Sequence, residues 1–365
     1  MRFSNAIGTG LALVVGSATA AQYQWQAVPL HPQEESQSKA FAAYGTRQGG
    51  LVTTSDPGGP GRAAVWEGSA ESWLDLTPSW AVVGRINGMD GSSQVGQVSP
   101  TYGTFHAALW RSTPESAVNL HPGGGYWASD AKAVVGNMQV GRASHTATGR
   151  SHAALWQGTA ASFVDLHPAG AEQSHALATD GVLQGGWATL PGGARAEAVI
   201  WAGTAESVVD LTPPGVDEAK VFGMAPGVQV GLVQNLGENP RAALWRGSKE
   251  SFVDFSPPGS IASDMYGTTG TVHAGSASFG GLVQAGVWLS DDPASFVNLH
   301  ALLPPQFFGS SATGVYQDGD TLYVTGFATR GPSEAWLWIG TIPTPGTAWV
   351  LLAGIGLVSN RRRRR

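Results

Sequence analysis

The chain contains no cysteine among its 365 residues, and only 13% of them are charged. Without thiols there is no disulfide framework, so an exported form has to stabilise its core by burial alone. Lysine is scarce. None of the four (Lys39, Lys132, Lys220, Lys249) follows a glycine, as a phosphate-binding loop requires. A G-x-S-x-G nucleophile elbow, an H-E-x-x-H metal motif, an Asp-rich calcium loop and a sialidase-type Asp-box are also missing. No apolar run reaches the roughly 20 residues of a membrane-spanning helix. What is plentiful is glycine (51) and proline (22), which suits many short strands joined by tight turns and argues against a helical protein.

Those turns recur with a period. SHAALWQGTAASFVDLHP at Ser151–Pro168 returns as FHAALWRSTPESAVNLHP from Phe105 and PRAALWRGSKESFVDFSP from Pro240, with weaker copies from Ala63, Ala198 and Ala285. Its tryptophan stands at 66, 110, 156, 201, 245, 288 and 338, at intervals of 43 to 50 residues. Its following apolar anchor stands at Leu30, Leu76, Leu120, Leu166, Leu211, Phe255 and Leu299. Between the anchors lie a small, apolar element and a Q-V-G-like one. The small elements are Ala40–Ala43, Ala81–Gly84, Lys132–Gly136, Ala176–Thr179, Lys220–Gly223, Asp264–Thr268 and Ser311–Val315. Asn87-Gly88, Asp90-Gly91, Asp180-Gly181 and Asp318-Gly319 read as hairpin turns.

Four short strands in about 45 residues make a propeller blade, and seven copies make an all-β, seven-bladed β-propeller. The Ala/Gly-rich element suits the crowded axis and becomes the innermost strand; V-D-L becomes the outermost. Val28–Pro32 is an outer strand without a preceding partner, and Ala335–Gly340 is a third strand without a following one. The N-terminal strand is therefore expected to complete the last blade, which removes two sheet edges.

The combination of Q-V-G, H-A-A-L-W and V-D-L resembles the HAF-type extracellular repeat proteins of bacteria. Ala108 and Ala154 stand where that family has an aromatic, and D-L-H-P or D-L-T-P replaces its D-L-G. The resemblance spans residues 22–340 and implies a secreted, propeller-like domain without established chemistry.

The two ends read as targeting segments. Arg2, the apolar run Ala6–Val15 and small residues through Ala20 and Ala21 form a signal peptide over residues 1–21, cut by signal peptidase after one of those alanines. Residues 341–365 comprise Pro343-Thr344-Pro345, an apolar stretch from Ala348 to Val358, and Arg361, Arg362, Arg363, Arg364 and Arg365. This tail resembles a PEP-CTERM sorting signal, with Thr344 replacing the usual Glu. The resemblance implies processing by an exosortase-type membrane protease-transpeptidase; a plain C-terminal anchor with a basic stop is the alternative. In either case the membrane is contacted only through this tail, and the body faces outward.

Arg2 and the five terminal arginines are six of the 20 basic residues. The body keeps 14 basic against 26 acidic side chains, a net of −12, which repels phosphate backbones and disfavours nucleic acid as a partner.

Asp75, Asp165, Asp210 and Asp254, with Asn119 and Asn298, recur once per blade and read as turn-bonding residues of the rim. His31, His121, His167 and His300 follow them, but Thr77, Thr212 and Ser256 replace histidine at equivalent stations, so no metal and no cofactor is expected. Charged exceptions near the axis are Asp130, Lys132, Glu218, Lys220 and Asp264. The candidate ligand-binding residues are aromatics outside the repeat, in connections from outer to next inner strand: Trp80, Tyr126, Trp127, Phe307 and Phe308. The bland alternative is that they plug gaps between blades. The expectation is an exported, non-catalytic protein that binds extracellular polysaccharide or an envelope partner. The rival is a carbohydrate-active hydrolase or lyase whose carboxylates converge at one mouth of the axial channel.

Overall fold

The repeated cassette folds as a hairpin. Strand Ser151–Trp156 passes through a 3₁₀ turn, Ala160–Ser162, into the two-residue strand Val164–Asp165, with Leu155 opposite Val164. Gly158 takes a φ of +81°, which a side chain would oppose. Ser162 Oγ accepts from the Gln157 N–H at 2.7 Å, and Gln139 Oε1 accepts from the Gly158 N–H at 2.6 Å. Gln48, Gln94, Gln184 and Gln229 clamp the corresponding turn of their own blades. This is the work of the Gln in Q-V-G.

We describe the protein from a computed structural model, over residues 23–55, 59–193 and 195–343. Ala20, Ala21, Thr344, Pro345 and Arg361–Arg365 lie outside the described residues. The described strands form seven four-stranded antiparallel sheets around one axis. The inner strands are Gln37–Tyr44, Val83–Met89, Tyr126–Val135, Ser174–Thr179, Glu218–Ala225, Ala262–Thr268 and Gly309–Asp318, heading blades one to seven. The N-terminal strand Gln24–Pro29 pairs antiparallel with Ser333–Thr341, from Gln24 opposite Thr341 to Pro29 opposite Trp336, and so completes blade seven. Among the described residues no helix is long and apolar enough to cross a membrane.

One hairpin differs from expectation. Asn87-Gly88 is not a turn but lies inside the inner strand of blade two, which starts later than Ala81. The turn is one step on, where Asp90 Oδ1 accepts from the N–H groups of Ser92 and Ser93, both at 2.8 Å. An Asx-type turn outcompetes Asn-Gly because the carboxylate satisfies two backbone donors at once.

Every inner strand carries an extra residue. In blade three Ala131 pairs with Gly141 and Ala133 with Val140, which leaves Lys132 bulged out of the ladder. The bulge presses the inner strand onto its neighbour: a Cβ on Gly141 would stand 2.0 Å from the Asp130 carbonyl oxygen. Gly50, Gly96, Gly186, Gly231, Gly275 and Gly326 occupy the same place, with contacts of 1.9 or 2.0 Å. The Gly of Q-V-G is thus the seat of the bulge.

Blades adhere through seven apolar cores, one per interface. Trp156 is fully buried between blades two and three with Leu109, Leu120 and Val134; Trp201 fills the next interface with Leu155 and Leu166. All seven repeat tryptophans are at 0% exposure, so the repeat encodes contacts between units rather than within them.

A polar clamp accompanies six of the seven apolar cores, the exception being the interface of Thr212, whose buried Oγ1 has no partner among the described residues. The rim carboxylate closes an Asx turn: Asp165 Oδ1 accepts from the His167 N–H at 2.8 Å, and Asp75, Asp210, Asp254 and Asn119 do the same. That turn aims His167 Nδ1 at Ser174 Oγ of the following blade (2.8 Å), and Ser174 Oγ accepts from the buried Ala153 N–H at 2.8 Å. His31–Ser38, His121–Ser129 and His300–Ser310 repeat the relay. In the first blade interface Thr77 Oγ1 reaches the Ala63 N–H directly, at 3.0 Å, and Gly84 stands where the serine would collide. The histidines are therefore blade-to-blade mortar, and Thr77 replaces a His–Ser pair without loss of the bond, whereas Thr212 at the equivalent station does not make it. Ser174→Ala leaves the Ala153 N–H unsatisfied in the core. It is expected to cost about 1–3 kcal/mol in equilibrium unfolding, whereas an exposed serine such as Ser92 should cost less than about 1 kcal/mol.

Candidate functional site

Because every bulge turns its extra side chain to the axis, the channel wall is set by seven residues: Phe41, Asn87, Lys132, Leu177, Phe222, Tyr266 and Thr313. Each is followed by Ala or Gly, as close packing of the inner strands demands. A Cβ on Gly88 would lie 2.6 Å from the Lys132 carbonyl oxygen of the next blade, and one on Gly223 would lie 2.6 Å from that of Tyr266. The resulting cavity measures about 580 Å³ and is open to solvent. That volume suits a small ligand, for which about 300–1,000 Å³ is usual.

Two further cations join Lys132 in the wall, Lys39 from blade one and Arg85 from blade two. Lys39 Nζ lies 4.4 Å from the centre of the Phe327 ring, and the Arg85 guanidinium 4.2 Å from that of Phe41. Neither forms a salt bridge among the described residues, and the buried Arg85 Nε–H has no acceptor there. Burial, with Arg85 nearby, holds Lys39 below the ordinary lysine value, and burial does the same to Arg85 against a partial pull from Asp130. Lys39 and Arg85 stand in the first half of their strands, at the channel end where outer-to-inner connections arrive.

No Asp or Glu is part of the described channel wall. Asp130 lies behind it, bonded to Lys132 and accepting from Asn87 Nδ2 at 2.7 Å. Glu218 is paired with Lys220 at 2.6 Å and Arg195 at 3.7 Å. Asp264 accepts from the Tyr266 hydroxyl and the Ser276 N–H, both at 3.1 Å, and burial raises its carboxyl above the ordinary range. The axial exceptions read from the sequence thus occupy three separate blades, with local partners, and of them only Lys132 lines the cavity. His175 at the same level is driven down to about 3, first by burial and then by Arg142, Lys132 and Lys220, so it is neutral at pH 7. The described residues contain no cluster of three metal-ligating side chains.

The five aromatics of the connections divide. Trp80, Trp127 and Phe308 are exposed, at 41%, 51% and 55%. Phe307 is in the core of the sixth blade interface, edge-to-face on Trp336. Tyr126 begins an inner strand, packs edge-on to Phe163 and donates its hydroxyl to Asp165 at 2.7 Å. In each adjacent pair one ring turns inward and its neighbour outward, as extended chain requires. The alternation of antiparallel strands brings all outer-to-inner connections to one face, so Trp80, Trp127 and Phe308 lie on the face toward which Lys39 and Arg85 stand, although none of the three rings lines the cavity. Sequence reasoning missed Lys39 and Arg85, because their small neighbours mark an inner strand but not which of its side chains reach the axis.

Fold and channel together define a closed seven-bladed propeller with a cationic, aromatic-lined axis. No family model matches the chain, and no curated protein matches it in sequence. Among solved structures it is similar to a puromycin-hydrolyzing peptidase of Mycobacterium tuberculosis, at 15% identity and a TM-score of 0.56 over 82% of this chain and 50% of that one. It is also similar to a puromycin hydrolase S511A mutant complexed with PGG, at 12% identity and 0.57 over 82% and 51%. The chain spans about half the length of these hydrolases. The β-propeller domain of the Trilobed protease from Pyrococcus furiosus, described as having an open velcro topology, is covered over 99% of its length, at 8% identity and 0.51. At such identities the likeness is one of fold.

Proposed function

We propose that this is an exported, non-catalytic propeller, displayed on or released from the cell surface, that binds extracellular polysaccharide; an envelope protein is the other partner considered. One observation carries the reading. Three exposed aromatic rings from three connections share one face of the propeller, while the carboxylates near the axis are each engaged by local partners. Exposed Trp and Phe rings stack on sugar faces at modest entropic cost, since each side chain has few rotatable bonds. Export rests on the composition of the two ends, and processing by signal peptidase and an exosortase-type enzyme belongs to the same proposal. Against catalysis by paired carboxylates stands the placement of Asp130, Glu218 and Asp264, none of which lines the cavity and each of which is engaged by a local partner.

On a glycan array, the Trp127→Ala variant of the purified protein is expected to lose about tenfold or more of its sugar binding, with its unfolding midpoint unchanged. Binding at the wild-type level in Trp127→Ala, Trp80→Ala and Phe308→Ala alike would overturn the proposal.

A further inference from the structure

We propose that the axial channel is a carboxylate site, in which Lys39 and Arg85 hold the acid group of a uronic-acid residue at the end of a sugar chain. The inference rests on the polysaccharide reading and deepens it. Its ground is an imbalance. The body of the protein is acidic, yet the charged residues lining its axis are Lys39, Arg85 and Lys132, all cations.

Lys132 is paired with Asp130, which pulls only partially on Arg85; neither Lys39 nor Arg85 forms a salt bridge among the described residues, and Arg85 presents a buried Nε–H with no acceptor. Partly desolvated cations without a paired carboxylate cost folding free energy, so this pair is not explained by stability. An anion between them supplies both the missing acceptor and the missing charge. Guanidinium and ammonium on one carboxylate give charge-assisted hydrogen bonds, which are about twice as strong as neutral ones.

The surroundings select the kind of anion. Phe41 and Phe327 lie under the two cations, and the rings of Phe222 and Tyr266 stack at 5.2 Å on the far wall. A sugar ring offers C–H faces to such a wall, which a bare inorganic anion cannot do. The acidic exterior repels a densely charged polymer, whereas a single carboxylate on an otherwise neutral chain meets little repulsion before it enters the mouth.

The test is calorimetric titration with cellobiouronic acid, with cellobiose as its neutral counterpart and inorganic phosphate as a competitor. Cellobiouronic acid is expected to bind at least about tenfold more tightly than cellobiose, and to weaken by at least about tenfold in a Lys39→Gln/Arg85→Gln double variant. In the wild-type protein this affinity is expected to fall between about 50 and about 500 mM salt. Phosphate should compete only weakly.

Equal affinity for the two disaccharides, a uronate affinity indifferent to salt, or retention in the double variant would overturn the channel site while leaving the polysaccharide reading in place. Phosphate binding as tight as the uronate would reduce the site to a general anion site and overturn the sugar assignment. If neither disaccharide nor any arrayed glycan binds, the polysaccharide reading fails as well. The salt series needs no variant, so the site stays testable even if the double variant does not fold.

Discussion

Gly141→Ala is expected to lose more than about 4 kcal/mol of stability, with a fall in unfolding midpoint on the order of 10 °C or a failure to accumulate soluble protein. The added methyl would sit 2.0 Å from the Asp130 carbonyl oxygen and 2.8 Å from the Ala131 Cα. Both are backbone atoms of the inner strand, so no side chain can turn aside to relieve the clash. Relief requires undoing the bulge at Lys132, which shifts the register of Ala131 and Val134 and removes them from the interface they share with Trp156. Gly309→Ala is the matched control. It begins the inner strand of blade seven rather than lying in a second strand as Gly141 does, and its methyl would meet only the Val283 carbonyl oxygen at an ordinary 3.6 Å. Denaturant titration of both should separate them by at least about 3 kcal/mol.

Trp156→Ala should cost about 3–5 kcal/mol. The indole is fully buried between blades two and three, against Leu109, Leu120, Val134 and Phe163, and its removal leaves a cavity that the flanking strands cannot collapse into while both remain paired within their own blades. Because the ring is closed, one weakened interface is held shut by the other six. The loss is therefore expected as a single cooperative transition at lower temperature rather than as separate melting of one blade. Trp127→Ala, at an exposed position only one blade-start away, should change stability by less than about 1 kcal/mol.

Much of the architecture was legible in the sequence because it is written in residues that serve neighbouring blades. The 43-to-50-residue interval between tryptophans counts the interfaces, and the unpartnered elements at Val28–Pro32 and Ala335–Gly340 announce the closure seen between Gln24–Pro29 and Ser333–Thr341. The Asp-His pair of the cassette was legible as structural, but not as the first half of a relay ending on the next blade, since Ser174 lies outside the cassette. The bulges were not legible. One extra residue in a strand of Ala and Gly leaves no mark on a two-residue pattern, and for the same reason Asn87-Gly88 read as a turn. Without the bulges, neither the ring of seven axial side chains nor the presence of Lys39 and Arg85 in the cavity wall follows. The aromatic connections were half legible. Composition marks Tyr126-Trp127 and Phe307-Phe308 as departures from the repeat, but which ring of each pair faces inward depends on the pleat of the folded chain.

The division of labour has an energetic signature. Repeated residues stabilise interfaces, while Lys39 and Arg85 are held against their own desolvation. Thermal unfolding of Ser174→Ala and Lys39→Met, measured side by side without ligand, tests this most directly. The account predicts a lower midpoint for the repeat variant and an unchanged or higher one for Lys39→Met, whose side chain keeps its packing on Phe327 and sheds an uncompensated charge. A midpoint lowered as much by Lys39→Met as by Ser174→Ala would contradict it, by showing that the axial cation supports the ring.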